Sequence, residues 1–414
     1  MIAAGFDWLH SPDSAARQIL HIHVQPVTAA LLSRLSRSGA PRWLVALGLC
    51  AALTGVDAWL RAPVPAAPRA AWPGGAAQAG GTLMLQSAGR IPMPPGAAAA
   101  HASSLLALPS DQPAVLQAYW FAGSRESGPD VQIAMSQFDR ATQQWSPARY
   151  VVNRDQAGAE LGFGLRRLGN PVAWRDGQGR IHLFVVATGL GGWSAGRILH
   201  LRQDGPQQPF RPLRVLPLSW LWDTSHLVRA IPLPLADGGM MLPVYFELGM
   251  KYPLLLRFDA QGEFRGMVRM SQRRDLLQPT LLAQSETQWL ALLRDNRPDR
   301  RVRAVQTHDG GLSWQDLPDP GLPNPDASLV GLSLRPDLMF LAHNPHPESR
   351  AQLALSRSTD GLHWTQLELL AQGEERSEFS YPSLAWVDGS LWVSYTEQRR
   401  AIAWQRFAFV PAAR

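Results

Sequence analysis

The sequence predicts an all-β chain wound into a six-bladed propeller, and three repeating features carry that prediction. The octamer Thr307-His308-Asp309-Gly310-Gly311-Leu312-Ser313-Trp314 follows the pattern S/T-x-D-x-G-x-S/T-W, and Ser358–Trp364 repeats it in shortened form 50 positions on, Trp to Trp. Its chemistry suits a tight β-turn: Asp309 can accept turn N–H groups, the glycines tolerate positive φ, and Trp314 folds back as an apolar plug. An apolar run with a polar or proline-containing start recurs six times, from His101, Asn170, His226, Gln278, Ala327 and Tyr381, at intervals of 69, 56, 52, 49 and 54. Each is followed by a second apolar run, and most by a third that alternates. Continuous inner runs and alternating outer ones are what blades need when inner strands are buried between neighbours and rims are wet. Six copies of such a unit favour a propeller over a β-sandwich or β-helix.

Residues 1–42 carry no domain pattern. Trp43–Leu60 is the one strongly apolar helical stretch outside the blades, 18 residues long, with Asp57 cutting its clean part to 14. That length lies between a signal core and a full span of about 20 residues. Arg34, Arg37 and Arg42 precede it, so it reads as an anchor in a bacterial inner membrane, with residues 1–42 cytoplasmic and the rest in the periplasm. Cleavage after it would make the chain secreted. Residues 61–80 form a Pro/Ala/Gly-rich linker, and the propeller occupies 81–412. Fourth strands are visible in five copies, within 148–154, 211–218, 262–270, 314–318 and 364–370. The sixth copy runs out of chain at Arg414, and the strand-like Gly81–Met93 is expected to supply its outer strand and close the ring.

The net charge of +6 invites a nucleic-acid reading. Yet the basic residues are almost all Arg, Lys251 being the only lysine, and they are interleaved with acids through the repeats. No basic stripe forms, so no nucleic-acid partner is expected. Cys50 is the only cysteine, which rules out an intramolecular disulfide. No Cys/His cluster has metal-ligand spacing, His343 and His346 read as loop residues, and neither GxGxxG nor a P-loop occurs. No metal or organic cofactor is expected.

Propeller topology narrows the chemistry. The starts of innermost strands and the loops after second strands emerge at one end of the central channel. Functional residues of different blades should meet there: His101, Arg125, Glu126, Asp130, Asn170, Glu247, Arg294, Asp295, Asn296, Arg350, Glu378 and Tyr381. The octamer and its shortened copy join third to fourth strands and belong at the other end. Structural roles compete for some of these residues. Asn170 and Gln278 can cap strands, Arg294 and Arg350 can pair between blades, Asp130 suits a turn, and Tyr381 can be a packed aromatic. The Trp-rich stretch 218–225 suits core and sugar platform equally.

The stretches FAGSRESGPDVQIAMS (121–136), LGNPVAW (168–174), LPVYFELG (242–249), LALLRDN (290–296) and SEFSYPSL (377–384), with the octamer and its shortened copy, resemble the sialidase superfamily in its branch of BNR-repeat, Asp-box proteins. The resemblance runs from about Arg90 to Phe409. It implies three arginines clamping a substrate carboxylate, an Asp as acid/base, and a Tyr nucleophile activated by a Glu. Carried onto this sequence, it implies Asp130 as acid/base, Tyr381 as nucleophile, Glu247 as its partner, and Arg294 and Arg350 as the second and third arginines. Asn170 joins the substrate-binding set. Guanidinium forks suit a planar carboxylate, and a tyrosine nucleophile keeps a second carboxylate away from an anionic sugar. The first clamp position holds His101 instead of arginine. Arg90-Ile91-Pro92 lies 11 residues upstream, and Arg125 in the adjacent loop can substitute. An imidazolium at 101 would hold a carboxylate only below its own pKa, about 6.5 when unperturbed, so affinity should fall between about pH 5.5 and 8.

The expected activity is therefore a sialidase-type glycoside hydrolase that removes a terminal acidic sugar. Its partners are a glycan or polysaccharide and the inner membrane. A non-catalytic glycan-binding or polysaccharide-assembly propeller is the alternative, as is a uronic-acid polysaccharide lyase using His101 and Tyr381 as base and acid.

Overall fold

The computed structural model describes residues 42–60, 66–73, 81–189, 192–219 and 223–411. The expectation for the N-terminal lead up to residue 41 lies outside the described residues, as does the middle of the Trp-rich stretch, 220–222. The chain forms two units, 1–66 and 67–414. In the first, Arg42–Leu60 is a single α-helix. Among the described residues no helix is long and apolar enough to cross a membrane.

The second unit is six antiparallel sheets in succession, within 99–152, 167–215, 226–269, 276–316, 330–372 and 379–411, the last completed by Gly81–Arg90. The innermost strand Leu276–Ala283 is buried at every position, whereas the rim strand Phe264–Arg269 is half exposed, as the run pattern predicts. The closing strand pairs antiparallel with Ala401–Pro411, Gly81 opposite Pro411 and Arg90 opposite Ala403. Between blades the fully buried Trp120, Trp289 and Trp392 fill the core. Small hydroxyls stitch neighbouring innermost strands together. Ser383 accepts Leu105 N–H (3.0 Å), Ser104 accepts Ala173 N–H (3.3 Å), and Thr280 accepts Gly331 N–H (2.7 Å). Each satisfies a backbone donor that faces the neighbouring blade instead of its own sheet.

Both Asp boxes form the expected turn. Asp309 accepts Ser313 N–H (2.9 Å) and the Thr307 hydroxyl (2.7 Å), while Trp314 donates its indole N–H to Gly311 O (3.2 Å). Gly311 has φ of 86°, and a Cβ there would fall 2.9 Å from Leu255 and 3.0 Å from Trp289, so no side chain fits.

Several elements depart from expectation. The inner run of the third blade splits into His226–Val228 and Leu233–Pro234. The fourth strand of the fourth blade is only Gln315–Asp316, because Pro318 and Pro320 follow and cannot donate to a ladder. Residues 154–161 form a short rim helix capped by Asn153, whose side-chain oxygen accepts Asp155 N–H (2.8 Å). The linker is not free along its length: Ala70 pairs with Leu235 and donates to Glu286 O (2.7 Å). His343 ends a strand instead of sitting in a loop, buried with its Nε2 2.9 Å from Ser356 Oγ.

Candidate active site

Four innermost strands slip their register at the same place, between His101 and Ser104, Gly169 and Val172, Leu277 and Thr280, and Ser380 and Ser383. Each slip inserts a bulge, and one residue of each adopts left-handed backbone: Ala102 (φ 55°), Asn170 (44°), Gln278 (46°) and Tyr381 (51°). Non-glycine residues hold such angles at a cost of about 1–3 kcal/mol, and such strain clusters at functional sites. Three of the four precede proline, which disfavours helical backbone in the residue before it. The bulge corrects the sequence reading twice. Tyr381 lies two residues inside its strand, Phe379–Val387, instead of opening it. The first-blade counterpart of Tyr381 is Ala102, one residue beyond His101.

Asn170, Gln278 and Tyr381 line one cavity of about 160 Å³ with His101, Glu126, Tyr245, Glu247 and Arg294, backed by Phe121, Trp193, Leu227 and Leu277. Ligand pockets commonly run from about 300 Å³ upward. The volume here suits one end of a single small ring, not an oligomer.

Burial sets the charges within it. His101 is 3% exposed, its ring centroid 4.4 Å from that of Tyr381 and 5.4 Å from that of Phe121. Desolvation pushes its pKa down to about 3, so the imidazole is neutral throughout the physiological range. That neutrality speaks against the expected imidazolium clamp, although His101 does form a wall of the cavity. Burial also raises the Glu247 carboxyl above its usual range, opposed by the charges of Arg294 and Lys251. Arg294 resists the same desolvation through Tyr381 and Asp326 and stays a strong cation. Its Nε donates to Asp326 (2.6 Å) and its Nη1 to Gln278 Oε1 (3.1 Å).

A family described as BNR repeat-like domain matches residues 114–393. The chain belongs to that family. Three solved structures share its fold. A protein of unknown function from Dyadobacter fermentans has a TM-score of 0.61 at 12% identity, over 79% of this chain and 99% of its own. Trypanosoma rangeli sialidase has a TM-score of 0.60 at 12% identity, over 82% and 60%. The NanB sialidase of Streptococcus pneumoniae has 0.57 at 8% identity, over 79% and 70%. The match thus spans about three-fifths of the trypanosomal sialidase. No curated protein matches the chain.

The remaining candidates of this BNR repeat-like protein lie around the cavity or away from it. Arg350 donates to Glu378 (3.2 Å) and to Asp326 O (2.5 Å) without lining the cavity. Arg399 joins Glu378 (2.7 Å) to Glu126. Burial works against the Glu378 charge, but bonds from Arg399 and Ser380, with the charges of Arg399 and Arg350, bring its pKa down to about 2. Asp130 stands outside the cavity, its carboxylate taking Ser124 N–H (2.6 Å) and the Ser124 hydroxyl (2.8 Å). Arg125 does not line the cavity either. Arg90, at the end of the closing strand, pairs with Glu397 (2.5 Å) and does not line the cavity. Asp295 is fully buried and bound by Arg297 (2.7 Å) and Arg303 (2.7 Å), a scaffold arrangement. Asn296 donates to Asp326 (2.9 Å). Among the described residues no group of three His, Cys, Asp or Glu could hold a metal ion.

Sequence reasoning missed Tyr245, Asp326, Arg399 and Arg229. Arg229 carried a visible signal, a charge inside the apolar inner run HLVRAIPL.

Proposed function

We propose that this propeller binds the terminal sugar of a glycan in the Tyr381 cavity and hydrolyses its glycosidic bond with retention. The carrying observation is that Tyr381, turned by its left-handed bulge, and Glu247 open onto the same small cavity. Burial raises the Glu247 carboxyl above its usual range, which makes it a better proton acceptor than an exposed carboxylate. In the proposed step the Tyr381 oxygen attacks the anomeric carbon as Glu247 takes its proton. The bond to the leaving oxygen breaks, and that oxygen gains a proton from the 124–131 loop. Water then reverses the exchange and releases the sugar. Two carboxyls stand on that loop. Asp130 is the acid implied by the sialidase resemblance, and Glu126 is the one that lines the cavity. The trypanosomal sialidase, a fold relative, forms a covalent intermediate with 2,3-difluorosialic acid, which supports a covalent route here.

A periplasmic, membrane-tethered location is part of the same proposal and rests on the apolar stretch and its flanking arginines. The test is a panel of acidic and neutral aryl glycosides offered to the intact protein. Tyr381→Phe should cut kcat by about a thousandfold or more, the scale of losing a nucleophile, with the fold unchanged by circular dichroism. Turnover that survives Tyr381→Phe sinks the mechanism.

One observation favours a second reading, a glycan-binding propeller without turnover. Arg294, Arg350 and Arg399 are each already paired with a carboxylate of the chain itself. Calorimetry that detects sugar binding with no product from any glycoside of the panel would select it.

A further inference from the structure

Arg229 leaves the third blade where its innermost pairing is interrupted, between Val228 and Leu233. From there it donates to Ser103 O of the first blade (3.2 Å) and Pro382 O of the sixth (2.8 Å). Its residue is 2% exposed, its Nε has no hydrogen-bond partner, and no carboxylate among the described residues pairs with it. A buried, uncompensated cation is costly, and a neutral amide could have bridged two carbonyls more cheaply. Burial lowers its pKa only to about 10, against the pull of Tyr381 and Tyr245, so it remains charged. The guanidinium carbon lies 5.2 Å from the centroid of the Tyr381 ring, so the charge faces the aromatic surface.

We propose that Arg229 is a positioning residue that holds Tyr381 through the Pro382 carbonyl and supports negative charge on its phenol oxygen, making that oxygen a nucleophile. The inference rests on the reading of Tyr381 given above, yet it can be tested without any sugar. A small aryl sulfonyl fluoride is the probe. The phenol oxygen forms an O–S bond, the S–F bond breaks, fluoride leaves, and the phenolic proton passes to buffer. Mass spectrometry then reads labelling of Tyr381 against Tyr150, a half-buried rim residue in the same sample.

In the intact protein Arg229→Gln, which keeps donors for the carbonyls and drops the charge, should slow Tyr381 labelling about tenfold. Arg229→Lys, which can still place a cation at the site, should slow labelling less than Arg229→Gln does. A purely structural tie would give equal rates for Gln and Lys, and that result overturns the proposal. So does absence of Tyr381 labelling in the parent chain. Should the Gln variant fail to fold, Arg229→Met and Arg229→Lys make the same comparison, with the same outcome deciding. Arg229-dependent labelling in a chain that hydrolyses no glycoside would refute the hydrolase reading and leave this one standing. Turnover with labelling indifferent to Arg229 would do the reverse.

Discussion

A histidine in the wall of a polar cavity would ordinarily change charge near pH 6.5. His101 does not, because it is enclosed by Phe121 and Tyr381, and the nearest carboxylate oxygen, of Glu126, is 4.0 Å from its Nε2. Sugar affinity should therefore be flat between about pH 5.5 and 8 as far as this residue is concerned, measurable by titration calorimetry across that range. The same burial has a consequence for stability with a definite sign. Between the folded value of about 3 and an unfolded value of about 6.5, the unfolded chain binds a proton at His101 that the native chain refuses. Stability thus falls as pH drops through that window. His343, lowered to about 4 by burial, adds to the slope. In scanning calorimetry the Tm should decline as pH falls below 6.5, and His101→Gln should make the decline shallower. An unchanged slope in that variant would show that the imidazole is not kept neutral.

The Asp boxes and the bulged strands illustrate two kinds of element. An Asp box is a closed local circuit: Asp309 gathers Thr307 and Ser313 while Trp314 caps the turn. Asp309→Ala frees those donors and should cost about 1–3 kcal/mol, the usual range for unsatisfying a hydrogen-bonded group. Turnover or sugar binding should stay unchanged, since the turn follows the third strand, at the end of the blade away from Arg294. A loss of sugar affinity without a lower Tm would contradict that placement. Because the circuit is local, its residues were legible in the sequence, and so were the six inner runs, whose burial on both faces forces continuous apolar character. The bulges were not legible. A left-handed Tyr or Gln has no residue signature beyond the proline that follows, and Ala102 lacks even that. Hence the first blade was read one residue early and His101 was cast as a clamp. Arg399 was missed for a similar reason, since its link to Glu126 spans 273 positions and joins the last blade to the first. Local chemistry shows in sequence, and contacts made only by ring closure do not.

Ring closure is also where the whole molecule can be tested. The sixth blade takes its rim strand, Gly81–Arg90, from the opposite end of the propeller's chain, so the ring is held by pairing between the first and last strands of the propeller. Removing residues 1–66 leaves the propeller unit and its strap at Ala70 whole, and the thermal transition should not move. Extending the deletion through Arg90 exposes the edge of Ala401–Pro411 along its length and removes Leu83 from the core of the last two blades, against which Phe409 also packs. An unpaired apolar edge is a template for intermolecular pairing, so this chain should aggregate or lose its cooperative transition. A synthetic peptide of residues 81–90, added in excess during refolding, should restore a monomer by supplying the missing ladder. If the longer deletion instead melts as a monomer at the parent Tm, closure contributes little. Stability would then reside in the hydroxyl stitches between inner strands, Ser383 to Leu105 and Thr280 to Gly331, which cross from blade to blade nearer the axis.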